Sequence, residues 1–319
     1  MDLNKSKPTR DSYGEALLEL GGRNPNVVVV EADISKSTRT KLFAQDFPAR
    51  FFNVGVAEQN GMLVAAGMAT CGKIPFMSTY AVFGTMRACE QVRTFIAYPK
   101  LNVKIALSHG GLTPANDGAT HQATEDMGIM RTIPNMTVVM PADDLATRKA
   151  VFAAADYPGS MFLRFTRDAV PAIYDAGECK FEIGKAIELR DGQDLTIIAV
   201  GDMVSKAILA ADQLSRSGTS VRVLDMHTVK PLDVDRVRKA AEQTGAIVTV
   251  EDHNIMNGLG SAVAEIVVEQ CPVPMRRIGI PDTFGESGPY EALLEKYGMS
   301  MEHIVKAAGQ VLEAKRRQR

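Results

Sequence analysis

The 319-residue sequence predicts an α/β protein of two three-layer α/β/α domains, the first built on a mostly parallel sheet and the second smaller. Three observations lead there. Near-continuous Val/Ile runs alternate with helical patterns, as strands buried on both faces of a parallel sheet require. The alternation breaks at a polar, irregular stretch after Arg167 (DAVPAIYDAGECKFEIGKAIELRDGQD), and then a second alternation begins. The predicted division is a first domain over residues 1–175, a linker over 176–192 and a second domain over 193–319.

In the first domain, strands are expected at Val27–Asp33, Phe51–Val56, Ile74–Thr79, Val103–His109, Thr137–Pro141 and Met161–Thr166, with helices at Ser12–Leu20, Met86–Ala97 and Asp143–Ala155. In the second, strands are expected at Leu195–Val200, Val221–Asp225, Ile247–Glu251 and Arg277–Ile280. Its helices are expected at Ser205–Leu214, Val234–Gln243, Gly260–Glu269 and Met301–Ala314. No repeats or low-complexity tracts interrupt the pattern.

Composition narrows the function classes. Charged residues make up 23% of the chain, the net charge is −2, and the two signs are interspersed. This is no electrostatic footprint for nucleic acid or an anionic membrane. The basic tail Lys315–Arg319 reads as a solvated helix end complementing the helix dipole. The first residues, MDLNKSKPTRD, lack an apolar leader core, and no apolar run reaches membrane-spanning length. Four dispersed cysteines without CxxC spacing read as reduced thiols of a cytoplasmic protein. Five histidines without HxxxH or HExxH spacing give no protein-only metal site.

The stretch Phe51–Phe83 carries the most chemistry. A short β-rich run turns at Gly55 and starts an Ala/Met/Leu helix with Glu58 in its first turn; the next strand delivers Tyr80 and Phe83. A carboxylate and two aromatics so placed suit a flat heteroaromatic ring, stacked on the faces and hydrogen-bonded at its edge. An ordinary βαβ unit with a capping glutamate and two core aromatics accounts for the same residues. The loop SHGGLTPANDGATHQATE (108–125) is richer than a connector needs, and it follows a strand end, where ligands bind in such sheets. In Glu31–Thr40, hydroxyls and cations could hold a phosphate, and an ordinary N-cap region explains them equally well.

The succession AEQN, STYAVF, SHGGLTPANDGATHQ and RFTR resembles the C-terminal half of the thiamine diphosphate-dependent transketolases, over the whole chain. The resemblance implies a pyrimidine-binding domain followed by the transketolase C-terminal domain, and likeness to the small subunit of a split enzyme. In that family the cofactor's diphosphate is held through Mg²⁺ or Ca²⁺ on a GDG motif with a distant Asn, in the N-terminal half. The fragments Gly201-Asp202-Met203 and Asn116-Asp117-Gly118 do not complete that motif. The expected chain therefore carries half of a cofactor site, and an N-terminal subunit carries the other half.

By the same resemblance, Glu58 is the acid at the pyrimidine ring nitrogen, promoting the tautomer that removes the thiazolium C2 proton. That role asks for a secluded carboxyl. Tyr80 and Phe83 match the aromatics lining the pyrimidine, and Asp33 and Ile34 align near the thiazolium at the subunit interface. His121 matches the histidine beside the donor's C1 hydroxyl and carbonyl, and Asp117 the acid at the acceptor's hydroxyl. His109, twelve residues before His121, and Arg167 match phosphate-binding positions, with Arg10 and Ser37 as further contacts. The second domain is expected to be scaffold and interface, with His227 and His253 structural; the Gly pair in Asn257–Ser261 could suit a phosphate but leaves GxGxxG incomplete.

The leading expectation is transfer of a two-carbon ketol unit between sugar phosphates in an α2β2 assembly. A deoxyxylulose-phosphate synthase-like or 2-oxoacid dehydrogenase β-like enzyme would keep the Glu and aromatics, but DGATHQ with His109 fits them less well. A non-catalytic scaffold needs none of Glu58, Asp117 and His121.

Overall fold

The run VVVVE at Val27–Glu31 is buried along its whole length, so both faces of this strand must be covered. It lies inside a seven-stranded sheet whose spatial order is Thr228–Lys230, Thr137–Val139, Met161–Arg164, Lys104–Ser108, Ile74–Tyr80, Val27–Glu31 and Phe51–Asn53. All pairings are parallel except that of Thr228–Lys230, which runs antiparallel to Thr137–Val139. Helices Thr9–Arg23 and Asp144–Asp156 cover one face, burying Ala16, Leu17, Ala150 and Val151 against Phe76, Leu163 and Phe165. The helix Glu58–Thr70 covers the other, with Met62, Ala65 and Ala66 in a second cluster. The computed structural model describes residues 1–175, 177 and 179–318.

A second sheet has the order Met275–Ile280, Ile247–Asn254, Leu195–Ala199, Val221–Asp225 and Ile187–Arg190, parallel but for the last. Helices Met203–Arg216 and Met301–Arg317 pack together over it through Ala207, Ala211, Ile304 and Ala308. The molecule is thus two α/β domains. A small antiparallel ribbon joins Asp2–Pro8 to Ala169–Ala172.

Three features depart from the sequence reading. Ile187–Arg190 falls in the stretch 176–192 expected as linker, yet it is the edge strand of the second sheet. An edge strand has one open side and tolerates the Glu and Arg of IELR, which hides it from a search for apolar runs. Ala176 and Glu178 of that expected linker lie outside the described residues, as does Arg319 of the basic tail. Second, Thr228–Lys230 crosses from the second domain to close the first sheet. Three residues are too few to show a period. Third, the helix expected over Met86–Ala97 begins earlier and is π-wound over Phe83–Arg87 and Val92–Ala97, as in the bond from Tyr98 N–H to Arg93 O at 3.0 Å. Such widened turns gather at functional sites. Strands also end sooner than expected, as at Glu31 rather than Asp33 and Asn53 rather than Val56.

The two domains meet on a buried charge. Arg164, at the end of Met161–Arg164, donates to Asp126 Oδ2 at 2.7 Å, to Ala123 O at 3.1 Å and to Asp252 O at 2.8 Å. Asp202, Asp252 and Tyr290 close the cluster, with the Tyr290 hydroxyl on Asp202 and 3.3 Å from Asp252 Oδ2. Burial pushes the Asp202 and Asp252 carboxyls up, and the Arg164 guanidinium opposes it. Removing one partner of such a cluster leaves buried charge uncompensated. Arg164→Met should therefore cost about 3–5 kcal/mol, seen as a lower urea midpoint; an unchanged midpoint would show that the cluster does not hold the domains.

Candidate active site

The residues singled out in the sequence gather where parallel strands end, outside their carboxyl edges. Glu58 opens the helix Glu58–Thr70, where the dipole favours a carboxylate. The chain reaches it through a tight turn: Gly55 adopts φ +74° and its N–H donates to Asn53 Oδ1 at 2.9 Å. Glu58 is 2% exposed. Its two oxygens accept from one nitrogen of Arg87, at 2.8 and 2.9 Å, and the arginine is itself half-exposed. The π-wound turn also sets the Arg87 guanidinium 4.6 Å from the centre of the Phe83 ring.

Tyr80 ends the strand Ile74–Tyr80, and Phe83 follows one turn later, with ring centres 5.8 Å apart at 27°. His121 stands edge-on to both, 6.0 Å from Tyr80 and 5.5 Å from Phe83. His109 lies against Tyr80 at 3.8 Å. Its backbone takes φ +65°, turning the chain into the glycine-rich loop. Arg10 Nη1 is 3.2 Å from His109 Nε2, and Ser108 Oγ is 2.8 Å from Nδ1. A guanidinium only donates, so Nε2 accepts and the neutral ring carries its proton on Nδ1. Burial, then Arg10, Arg167 and His121, hold the His109 pKa far below the usual histidine range.

Arg10 is crowded in turn: burial, then Arg39, lowers its guanidinium pKa, with Arg167 adding to the effect. Its Nε has no hydrogen-bond partner among the described residues. Arg167 donates to Pro114 O at 3.2 Å and approaches Asp117 Oδ2 at 3.8 Å. Asp117 itself ends a short 3-10 turn, Ala115–Asp117.

The structure thus brings Tyr80, Phe83, His109, His121 and Arg10 into one cluster, with Glu58 tied to Phe83 through Arg87 and Asp117 to Arg167. Three others stand apart from those contacts. Asp33 is exposed at φ +64° and accepts from Asn53 Nδ2 at 2.8 Å. Ile34 N–H donates to Glu31 Oε2 at 2.9 Å, and Ser37 sits on the single turn Ser35–Thr38.

Sequence reasoning missed two polar groups here. Arg87 was concealed by the expectation of an ordinary helix, although its spacing of four from Phe83 was a usable signal. Glu31 is buried, with its pKa pushed up to about 7 chiefly by desolvation, and it organises the turn at Ile34 and Thr38. In the second domain the Asn257–Ser261 turn offers no phosphate cradle. The Glu251 carboxylate already accepts from Leu259 N–H at 2.6 Å and Gly260 N–H at 2.7 Å. His253 is buried and accepts from Gly128 N–H at 3.0 Å, and His227 is buried against Phe181 at 4.0 Å. Among the described residues, no group of three or more His, Cys, Asp or Glu side chains is placed to hold a metal ion, and no helix is long and apolar enough to cross a membrane.

A buried carboxylate and paired aromatic rings thus lie together beyond the strand ends of a two-domain α/β chain. Comparison with known proteins gives the family. Residues 5–172 match the transketolase pyrimidine-binding domain and residues 184–304 the transketolase C-terminal domain. The chain belongs to the transketolase family. It is 44% identical to the 6-deoxy-6-sulfo-D-fructose transketolase subunit SqwH of Clostridium sp., over 96% of this chain and 95% of that one. It is 42% identical to a subunit of the apulose-4-phosphate transketolase of Phocaeicola vulgatus, over 94% and 96% respectively. A solved structure described as a split gene transketolase, inactive beta4 tetramer, superposes with a TM-score of 0.89 at 48% identity, covering 98% of this chain and all of that one.

The buried His109 has a definite pH signature. Its folded pKa lies below the unfolded value of about 6.5. As pH falls through that value, the unfolded chain takes up a proton that the folded chain refuses, so this residue subtracts stability below about pH 6.5. The His109 imidazole resonances should accordingly stay at their neutral positions from about pH 8 to pH 5; titration within that window would contradict the packing described.

Proposed function

We propose that this chain is the pyrimidine-side subunit of a transketolase, moving a two-carbon ketol unit from a ketose phosphate to an aldose phosphate with a separate N-terminal, diphosphate-binding chain. The observation that carries the reading is Glu58. A carboxylate buried at a helix start, beside stacked rings, has as its hydrogen-bond partner a half-exposed arginine that can yield to an incoming donor. Those residues fit the ring of thiamine diphosphate: acid at the edge, aromatic faces alongside. When bound, that cofactor supplies the electron sink for breaking and remaking a carbon–carbon bond.

The chain's own residues divide the remaining work. Glu58 would hold a proton at the ring nitrogen, and Tyr80 and Phe83 would fix the plane of the ring. Asp33 and Ile34 would line the thiazolium side. His121 would donate to the donor's oxygen and Asp117 would hold the acceptor's hydroxyl. Arg10, His109, Ser37 and Arg167 would receive the phosphate. Arg10 Nε makes no hydrogen bond among the described residues and lies 3.6 Å from Asp11 Oδ1, and Arg39 and Arg167 crowd its guanidinium, so this group of cations would suit an anion. Neutral His109, accepting from Arg10 at Nε2, would orient that guanidinium toward the phosphate without adding charge.

Support for a second chain comes from the surface beside Glu58. Val56 is 72% exposed and Tyr98 81% exposed, and Leu63, Met86 and Phe95 are exposed on the adjoining helices. The 48% identical neighbour is described as an inactive tetramer of β chains, and the two relatives above are named as subunits. The assembly is read as α2β2, with Mg²⁺ or Ca²⁺ on the partner. The relatives' names cover a sulfonated and a phosphorylated sugar, both with an anionic end suited to the arginine cluster.

Two substitutions test the roles. With the N-terminal chain and Mg²⁺, Glu58→Ala should abolish transfer to phosphorylated aldoses while the chains still co-elute on size exclusion; full activity would remove the acid from the reaction. Arg167→Ala should raise KM for a phosphorylated acceptor by about 10-fold or more, the worth of a charge-assisted pair, and leave the unphosphorylated analogue nearly unchanged. Equal losses on both acceptors would end its assignment to phosphate.

A further inference from the structure

We propose that Asp252, on the second domain, is a positioning residue for the glycine-rich loop over 109–125, so that this domain sets the alignment of Asp117 and His121. The inference rests on the proposed function only for what those two side chains do.

The loop is pinned at its base and at its tip by different parts of the second domain. At the base, Gly111 and Ala123 exchange backbone bonds of 2.9 and 3.1 Å, closing the two arms on each other. Both Asp252 oxygens accept from the next amide, Leu112 N–H, at 3.1 and 2.9 Å. Asp252 and Leu112 are both fully buried, so water cannot replace this bond. Gly111 holds φ +60° and lies so close that a Cβ on it would sit 2.1 Å from Asp252 Oδ2; only glycine allows the contact. Beyond it, Asn254 N–H donates to Thr124 O at 2.8 Å. At the tip, Gln122 Nε2 donates to Glu286 O at 2.9 Å, and Gly118, at φ +80°, packs against Ser287. Asp117 and His121 are therefore carried on a span that closes on itself through backbone turns, as in Asp117 N–H to Pro114 O and His121 N–H to Gly118 O, and that the second domain pins at base and tip.

A carboxylate on a buried amide is stronger than a neutral acceptor. Asp252→Asn keeps the shape but replaces one of the two oxygens on the Leu112 N–H with an NH2, leaving a single neutral acceptor with a donor beside it. The experiment reads hydrogen exchange of the isolated chain first. Asp252→Asn should speed exchange in the peptide covering 109–125 by about 10-fold or more while peptides of the strand Ile74–Tyr80 keep their rates. In the reconstituted two-chain enzyme, kcat/KM for the acceptor should fall by about 10- to 100-fold, with affinity for thiamine diphosphate unchanged.

If Asp252→Asn does not fold, Gly285→Ala on an exposed loop serves instead. Its Cβ would lie 1.9 Å from Gln122 Oε1 and 2.9 Å from Leu112 Cδ2, pushing the same loop from its other side. Unchanged loop exchange, or faster exchange throughout the chain with cofactor affinity lost in step, overturns the positioning role. Exchange is read without turnover: faster loop exchange alongside a wild-type enzyme that transfers no ketol unit supports the positioning and sinks the proposed function instead.

Discussion

The junction between the glycine-rich loop and the two domains passes through the Arg164 guanidinium. It binds Asp126 at the head of a helix in the first domain, the Ala123 carbonyl at the base of the glycine-rich loop, and the Asp252 carbonyl in the second domain. A planar cation with several fixed donors can join three backbones at once, where a lysine could hold one direction well. Its burial makes the arrangement all-or-none. Asp126, Ala123 and Asp252 are buried, so their oxygens would be left unpaired away from solvent if the arginine were removed. Gly110 shows how closely the loop is drawn in, since a Cβ there would lie 2.3 Å from Arg164 Nε.

From that junction the site divides into a rigid half and a suspended half. Glu58, Tyr80 and Phe83 stand on a helix start and strand end backed by the core. Asp117 and His121 sit on a loop fixed both by Arg164 and Arg167 of the first domain and by Asp252 and Glu286 of the second. The Glu58 carboxylate and the Tyr80 and Phe83 rings thus rest on first-domain elements, while the position of Asp117 and His121 also depends on domain contact. The Glu58–Arg87 pair sits on the rigid side. Its arginine is the more exposed member, so the carboxylate is held in place without being permanently taken.

The parallel sheet of the first domain was legible because buried strands must be apolar on both faces, as at Val27–Glu31 and Lys104–Ser108. Glu58, Tyr80, Phe83, His109 and His121 were legible as candidates because their order along the chain follows the family's motifs. Ile187–Arg190 and Thr228–Lys230 were not: an exposed edge and a three-residue pairing carry too little hydrophobic signal. Arg87 was missed because the widened helical turn that aims it at Glu58 has no mark in periodicity.

By itself, then, the chain's sequence determined its class, its two α/β domains and which side chains are candidates for a site, because these depend on local period and on residue type. Only the tertiary structure decided which groups meet: Arg10 on His109, Arg87 on Glu58, Asp252 on the amide of Leu112. Those pairs join residues 99, 29 and 140 positions apart. The first two depend on how helices and strand ends meet within the first domain, and the third on how the two sheets dock.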